Sequence, residues 1–216
     1  EVLLPKVLQF RFKNIAPVLP SVSSAAAEHK QISRAKKSLS NFIPEAIVIG
    51  CSTGGPTALE KIFAKISGPI PIPIFIVQHM PPVFTQILAR RVGELCNIPA
   101  AEGLSGEAIF PNHIYVAPGD FHMGIECTKS GTKIILNQLP QRNSVRPAVD
   151  YLFESAAEVY SKNCVGIVLT GMGEDGLIGA KALRAIDAPI IIQDKESSVV
   201  FGMPGAIHAA DEYDQM

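Results

Sequence analysis

The chain has 216 residues, between one and two average domains of roughly 150 residues each. It is 47% hydrophobic and 18% charged, enough apolar material for a sizeable core, which excludes disorder of the chain as a whole. A formal net charge of −1 argues against a nucleic-acid binder, which normally carries a strong basic excess.

The 17 Gly and 17 Pro residues follow no period, which excludes collagen-like sequence and points to many tight turns. With no Trp and 6% aromatics, the core must be mainly aliphatic, as in a buried parallel sheet. The longest apolar stretch, Pro69 to Val77, is broken by three prolines, so no segment reads as a membrane span. No secretion signal is visible, and Cys51, Cys96, Cys127 and Cys164 form no C-x-x-C pair. The cysteines therefore read as free thiols in a cytoplasmic protein, not as a zinc site. The start at Glu1 reads as that of a fragment or processed product.

Charge divides the chain. Residues 1–40 hold seven basic side chains against two acidic ones, and the rest is net acidic. Residues 1–43 read as an interdomain linker or basic arm, with a short helix over Val2–Phe12. From residue 44 onward the pattern is that of one domain. Ala46–Gly50 is an apolar run read as a buried strand, and Thr57–Ile66 has helical periodicity with Pro56 at its start. A second strand spans Pro73–Gln78 and a helix Phe84–Leu95. His113–Ala117 and Lys133–Leu136 read as shorter strands, and the turn chemistry of Gly119-Asp120 and Ser130-Gly131 points to antiparallel hairpins in this stretch. A helix over Val149–Tyr160, a strand over Val165–Leu169, a helix over Leu177–Ile186 and a strand over Pro189–Ile192 follow. The alternation predicts an α/β fold: a mostly parallel, doubly wound sheet with helices on both faces and an antiparallel hairpin excursion.

In such sheets ligands bind beyond the carboxyl ends of the strands, and three of those ends carry chemistry. The first runs into Gly50-Cys51-Ser52-Thr53-Gly54-Gly55-Pro56, a G-x-S-x-G turn that can expose a serine nucleophile. The same glycine-rich turn before a helix also suits a phosphate or nucleotide site, or a purely structural turn. The second ends at His79, fixed by Pro81-Pro82, and histidine titrates near working pH. The third runs into Thr170-Gly171-Met172-Gly173-Glu174-Asp175-Gly176, where Asp175 is either an orienting carboxylate or a helix cap. Together they meet the triad requirement: Ser52 attacks, His79 takes its proton, Asp175 holds the imidazole. Backbone N–H groups of Gly54-Gly55 and Met172-Gly173 are the candidate oxyanion donors. The α/β-hydrolase order of Ser, acid, His is open only through His208, with Asp175, Asp187 or Asp194 as the acid. Only the irregular arm precedes Ser52, which disfavours that alternative.

Five segments in order, Ile49–Pro56, Gln78–Pro82 with Phe84-Thr85, Val116–Asp120 with His122-Met123, Leu169–Gly176 and Val199–Pro204, resemble the catalytic domain of the CheB family of protein-glutamate methylesterases. The resemblance covers about residues 45–210. It implies hydrolysis of glutamate γ-methyl esters on chemoreceptors with release of methanol, and in many members deamidation of receptor glutamines. It places the family triad on Ser52, His79 and Asp175, an oxyanion-hole methionine on Met172 and the threonine beside the nucleophile on Thr53. It implies no metal, no cofactor and a cytoplasmic location. It further implies an N-terminal receiver domain, phosphorylated by the chemotaxis histidine kinase, for which this chain has no room.

Three departures from the family pattern stand out: Ile186-Asp187-Ala188 replaces a glycine-rich turn, the sequence stops at Asp214-Gln215-Met216, short of the usual final segment, and Ala148 follows Arg146-Pro147 where the family usually has Ser. Arg146 either lines the substrate cleft or anchors the helix after it. Three other readings stay open: an esterase or amidase for small molecules, an esterase of another sensory pathway, and a phosphate- or nucleotide-binding regulatory domain. A homologue that has lost activity is disfavoured by its intact triad.

Overall fold

The computed structural model describes Lys36, Leu39 and residues 42–216. The arm over residues 1–43, with its helix over Val2–Phe12, therefore lies almost entirely outside the described residues. Leu39 is buried and joins the core, and the Lys36 ammonium sits 3.8 Å above the Tyr213 ring.

The elements run β1 (Ala46–Cys51), α1 (Gly55–Phe63), β2 (Ile74–Gln78), α2 (Phe84–Cys96), β3 (Ala100–Glu102), β4 (Ile114–Val116), β5 (His122–Thr128), β6 (Gly131–Asn137), α3 (Val149–Tyr160), a 3₁₀ turn (Ser161–Asn163), β7 (Cys164–Val168), α4 (Leu177–Ala185), β8 (Ile190–Ile192) and α5 (Met203–Ala209). Six strands form one sheet in the order β3-β4-β2-β1-β7-β8, and every pair in it is parallel.

β1 is buried along its whole length because both its faces are covered. Ile47, Ile49 and Cys51 pack with Leu59 and Phe63 of α1 and with Leu88 and Val92 of α2. Ala46 and Val48, on the opposite face of the pleat, pack with Leu152 and Phe153 of α3, Leu183 of α4 and Ile207 of α5. This two-sided burial makes the sheet doubly wound and explains why its strands read as unbroken apolar runs.

The middle of the chain departs from expectation. Only β5 and β6 form an antiparallel hairpin, as a separate two-stranded sheet. The strand predicted over His113–Ala117 instead joins the main sheet in parallel, between β2 and β3. A short apolar run looks the same in either setting, so its partner is not written in its period.

The chain's last residues are stapled to the sheet. The buried Asp214 carboxylate pairs with Arg184 of α4 and accepts the Ile190 N–H at 2.9 Å. Asp214→Ala leaves a buried guanidinium without this carboxylate, and stability falls by about 3–5 kcal/mol, read by chemical denaturation. A loss below 1 kcal/mol would refute the staple. Among the described residues, no helix is long and apolar enough to cross a membrane.

Candidate active site

The chain winds from β1 to β2 on one side of the sheet and from β7 to β8 on the other. The direction reverses between β1 and β7, and the crevice beyond the strand ends at such a reversal is where ligands bind. His79, Ser52 and the loop to Asp175 follow β2, β1 and β7, three adjacent strands.

The register pairs Cys51 with Gln78, so Ser52 and His79 are the next pair along. The His79 N–H donates to the Cys51 carbonyl at 3.1 Å, and the Ser52 N–H to the Thr170 carbonyl at 3.0 Å. Ser52 is thus tied to the ends of both neighbouring strands. The turn then tightens through Gly54, whose φ of 81° suits glycine. A Cβ there would also come within 2.6 Å of Val199 Cβ. At Gly171 a Cβ would lie 2.9 Å from Ser52 Cβ, so glycine lets the loop after β7 close against the serine.

Asp175 is buried and fully engaged. Its Oδ2 lies 2.7 Å from His79 Nε2 and accepts the Val149 N–H at 2.7 Å. Its Oδ1 accepts the Asp150 N–H at 3.1 Å, the Gly176 N–H at 3.0 Å and Asn143 Nδ2 at 3.1 Å. Burial by itself would raise this carboxyl. The His79 hydrogen bond, the Val149 N–H, the His79 charge and the Asp150 N–H outweigh it and hold Asp175 below the usual carboxylate range. An ionised carboxylate on Nε2 fixes the proton there, leaving Nδ1 as the ring nitrogen able to act as base.

No hydrogen bond joins the Ser52 hydroxyl to His79; the strand register alone makes them neighbours, and catalytic hydrogen bonds often tighten only around substrate. The adjacent Cys51 does not compete as nucleophile. Its thiol is buried, donates to the Val77 carbonyl and is pushed far up by burial.

The candidate oxyanion donors separate. The Gly55 N–H is spent on the Ser52 carbonyl at 2.8 Å, so Gly55 shapes the turn and is not a free donor. Among the described residues, no acceptor takes the N–H of Thr53, Gly54, Met172 or Gly173. The Met172 side chain is 73% exposed, so any oxyanion role of Met172 belongs to its backbone. His208 is on α5 and stacks on Tyr213, and Asp175 is committed to His79.

Two buried polar residues escaped sequence reasoning. Gln78 Nε2 donates to the Ser52 carbonyl at 3.0 Å and the His79 carbonyl at 3.1 Å, clamping the two strand ends together. A polar residue closing an otherwise apolar strand was the available signal. Thr170 Oγ1 lies 2.9 Å from the Thr53 carbonyl and accepts the Val200 N–H at 2.9 Å, joining the loops after β1 and β7. Arg146 resolves toward anchoring. It donates to Asp120 Oδ1 at 2.6 and 3.1 Å and to the Gln138 and Leu139 carbonyls, pinning the segment before α3 to the hairpin.

Residues 47–216 match the family described as CheB methylesterase. A protein-glutamate methylesterase/protein-glutamine glutaminase of Maricaulis maris (strain MCS10) is 46% identical over 173 residues, 80% of this chain and 43% of that protein. One from Rhodopseudomonas palustris (strain HaA2) is 44% identical over 204 residues, 94% of this chain and 51% of that protein. The chain thus spans about half the length of the curated relatives it matches. The crystal structure of the Thermotoga maritima CheB methylesterase catalytic domain is similar at a TM-score of 0.77 and 40% identity, over 80% of this chain and 91% of that one.

Proposed function

The chain belongs to the CheB methylesterase family, and from that premise we propose that it hydrolyses glutamate γ-methyl esters on chemoreceptors through Ser52, His79 and Asp175. The observation that carries this reading is the 2.7 Å contact between His79 Nε2 and the buried Asp175, placed beside Ser52 by the register of β1 and β2. It is a base with its orienter, next to a hydroxyl, at the ligand-binding edge of the sheet.

The Ser52 hydroxyl attacks the ester carbonyl carbon while His79 Nδ1 takes its proton. The oxyanion forms opposite the N–H groups of Thr53 or Gly54 and Met172 or Gly173, each donor of this kind being worth about 3–4 kcal/mol. The tetrahedral intermediate expels methoxide, which takes the proton from His79 and leaves as methanol. Water, deprotonated by His79, then hydrolyses the Ser52 acyl ester and frees the glutamate carboxylate. A glutamine enters the same route with ammonia as leaving group, which matches the double name of the relatives.

Residues 44–216 form the catalytic domain in this reading. A receiver domain, phosphorylated by the chemotaxis histidine kinase, precedes it in the whole protein, which acts in the cytoplasm on membrane-anchored receptors. The relatives' greater length supports a further domain.

The test is methanol release from methylated receptor by this chain, beside hydrolysis of simple methyl esters. Methanol from receptor is expected. Turnover of simple esters alone would make the chain a small-molecule esterase, and turnover of neither would return the Ser52 loop to an anion-binding role.

A further inference from the structure

Asp150 opens α3 and Asp175 leads into α4, yet each carboxylate caps the other's helix. Asp175 takes the N–H groups of Val149 and Asp150 at the start of α3. Asp150 Oδ1 takes the N–H of Gly176 at 2.9 Å and of Gly179 at 2.8 Å, at the start of α4. Helix starts offer unpaired donors and partial positive charge, so two anions can sit side by side here.

The two carboxylates also share donors. The Gly176 N–H lies 2.9 Å from Asp150 Oδ1 and 3.0 Å from Asp175 Oδ1. Asn143 Nδ2 lies 2.9 Å from Asp150 Oδ2 and 3.1 Å from Asp175 Oδ1, which commits both its amide hydrogens. Burial pushes the Asp150 carboxyl up to about 6, with the Asp175 charge adding to the rise and the bonds from Gly179, Asn143 and Gly176 opposing it. Asp150 touches neither Ser52 nor His79; its connection to the site runs through Asp175.

We propose that Asn143 and Asp150 are positioning residues that fix the Asp175 carboxylate and, through it, the orientation of the His79 ring. The inference rests on the Ser52–His79–Asp175 reading. Helix capping alone would not require a side-chain amide bridging both acids. Asn143 lies on an exposed loop before α3, so it can be removed without cutting into either helix.

Asn143→Ala is the test, with two readouts: kcat and KM for methanol release, and the rate at which a fluorophosphonate labels Ser52. With one of the five hydrogen bonds on Asp175 lost and four left, its carboxylate shifts, and kcat and the labelling rate fall about tenfold to 100-fold, the scale of a small misplacement of catalytic groups. KM stays near wild type; the melting temperature drops in Asn143→Ala by the strain of alanine at a φ of 50° and stays near wild type in Asn143→Gly, which loses the same amide without that strain and shows the same fall in kcat and labelling. Asn143→Asp faces both acids with a third carboxylate and falls further. The double variant Asn143→Ala/Asp150→Asn loses no more than the worse single variant, because both act through one carboxylate. Unchanged kcat and labelling in Asn143→Ala would overturn the proposal, and so would a fall in activity of Asn143→Gly matched by a fall in its melting temperature. A wild-type chain that labels at Ser52 but releases no methanol fails the functional reading alone. The positioning test is then still read from labelling.

Discussion

Asp175→Asn lowers methanol release about 10⁴-fold, the scale seen when a triad carboxylate becomes an amide. The cause is visible in the donors around it. Oδ1 faces three donors, from Asn143, Asp150 and Gly176; Oδ2 faces two, Val149 N–H and His79 Nε2. The amide nitrogen of Asn must replace one oxygen, and the Oδ2 position costs fewer hydrogen bonds. There it presents a donor to His79 Nε2, which must become an acceptor. The ring proton moves to Nδ1, and the nitrogen that should take the Ser52 proton is already protonated. The Val149 N–H is left without an acceptor at a cost of about 1–3 kcal/mol. Turnover measured beside thermal unfolding separates the two effects. A variant within tenfold of wild-type turnover would remove Asp175 from the mechanism.

The same variant changes acid stability. Asp175 is held below the usual carboxylate range, so its contribution is complete above the unfolded value of about 3.9 and is lost as pH falls through its folded value. Asp150, raised to about 6, works in the opposite direction. Between about 6 and 4 the folded protein binds a proton there that the unfolded chain does not, so this group adds stability on acidification and loses it as pH rises through about 6. Melting curves of wild type should therefore fall steeply only below about pH 4, and Asp175→Asn should flatten that fall.

The parts of the fold legible in the sequence are those buried on both sides. β1, β2, β7 and β8 are apolar runs because each is buried on both faces. β3 spans only Ala100–Glu102 at the sheet edge and is partly exposed, leaving neither length nor pattern to read. α5 is seven residues long with Pro and Gly inside it, too short for its period to show. The site divides in the same way. Ser52, His79 and Asp175 stand at strand ends, where strand–loop–helix alternation makes a chemically capable residue conspicuous, and the structure brings the last two into contact. Asn143 and Asp150 were not legible. Their relation to Asp175 spans 32 and 25 positions of chain, and a single sequence carries no sign of such a meeting. Asp150 reads as an ordinary acid in the first turn of a helix.

Ser52→Ala should abolish turnover, by about 10⁶-fold when a triad serine is removed, and should abolish fluorophosphonate labelling altogether. The second readout decides more. A neighbouring nucleophile could preserve weak turnover, and the adjacent thiol is Cys51. Its side chain lies on the opposite face of the strand end, buried with Leu59 and Phe63. Its proton is held toward the Val77 carbonyl, and burial pushes the thiol far from ionisation at neutral pH. It cannot stand in for the serine. The residual rate is informative as well. Backbone donors in the loops after β1 and β7 survive the substitution, so the variant should still exceed the uncatalysed reaction, as triad-deleted hydrolases do by about 10³–10⁴-fold. Labelling that persists in Ser52→Ala would place the nucleophile elsewhere and leave the turn after β1 as a structural or anion-binding loop.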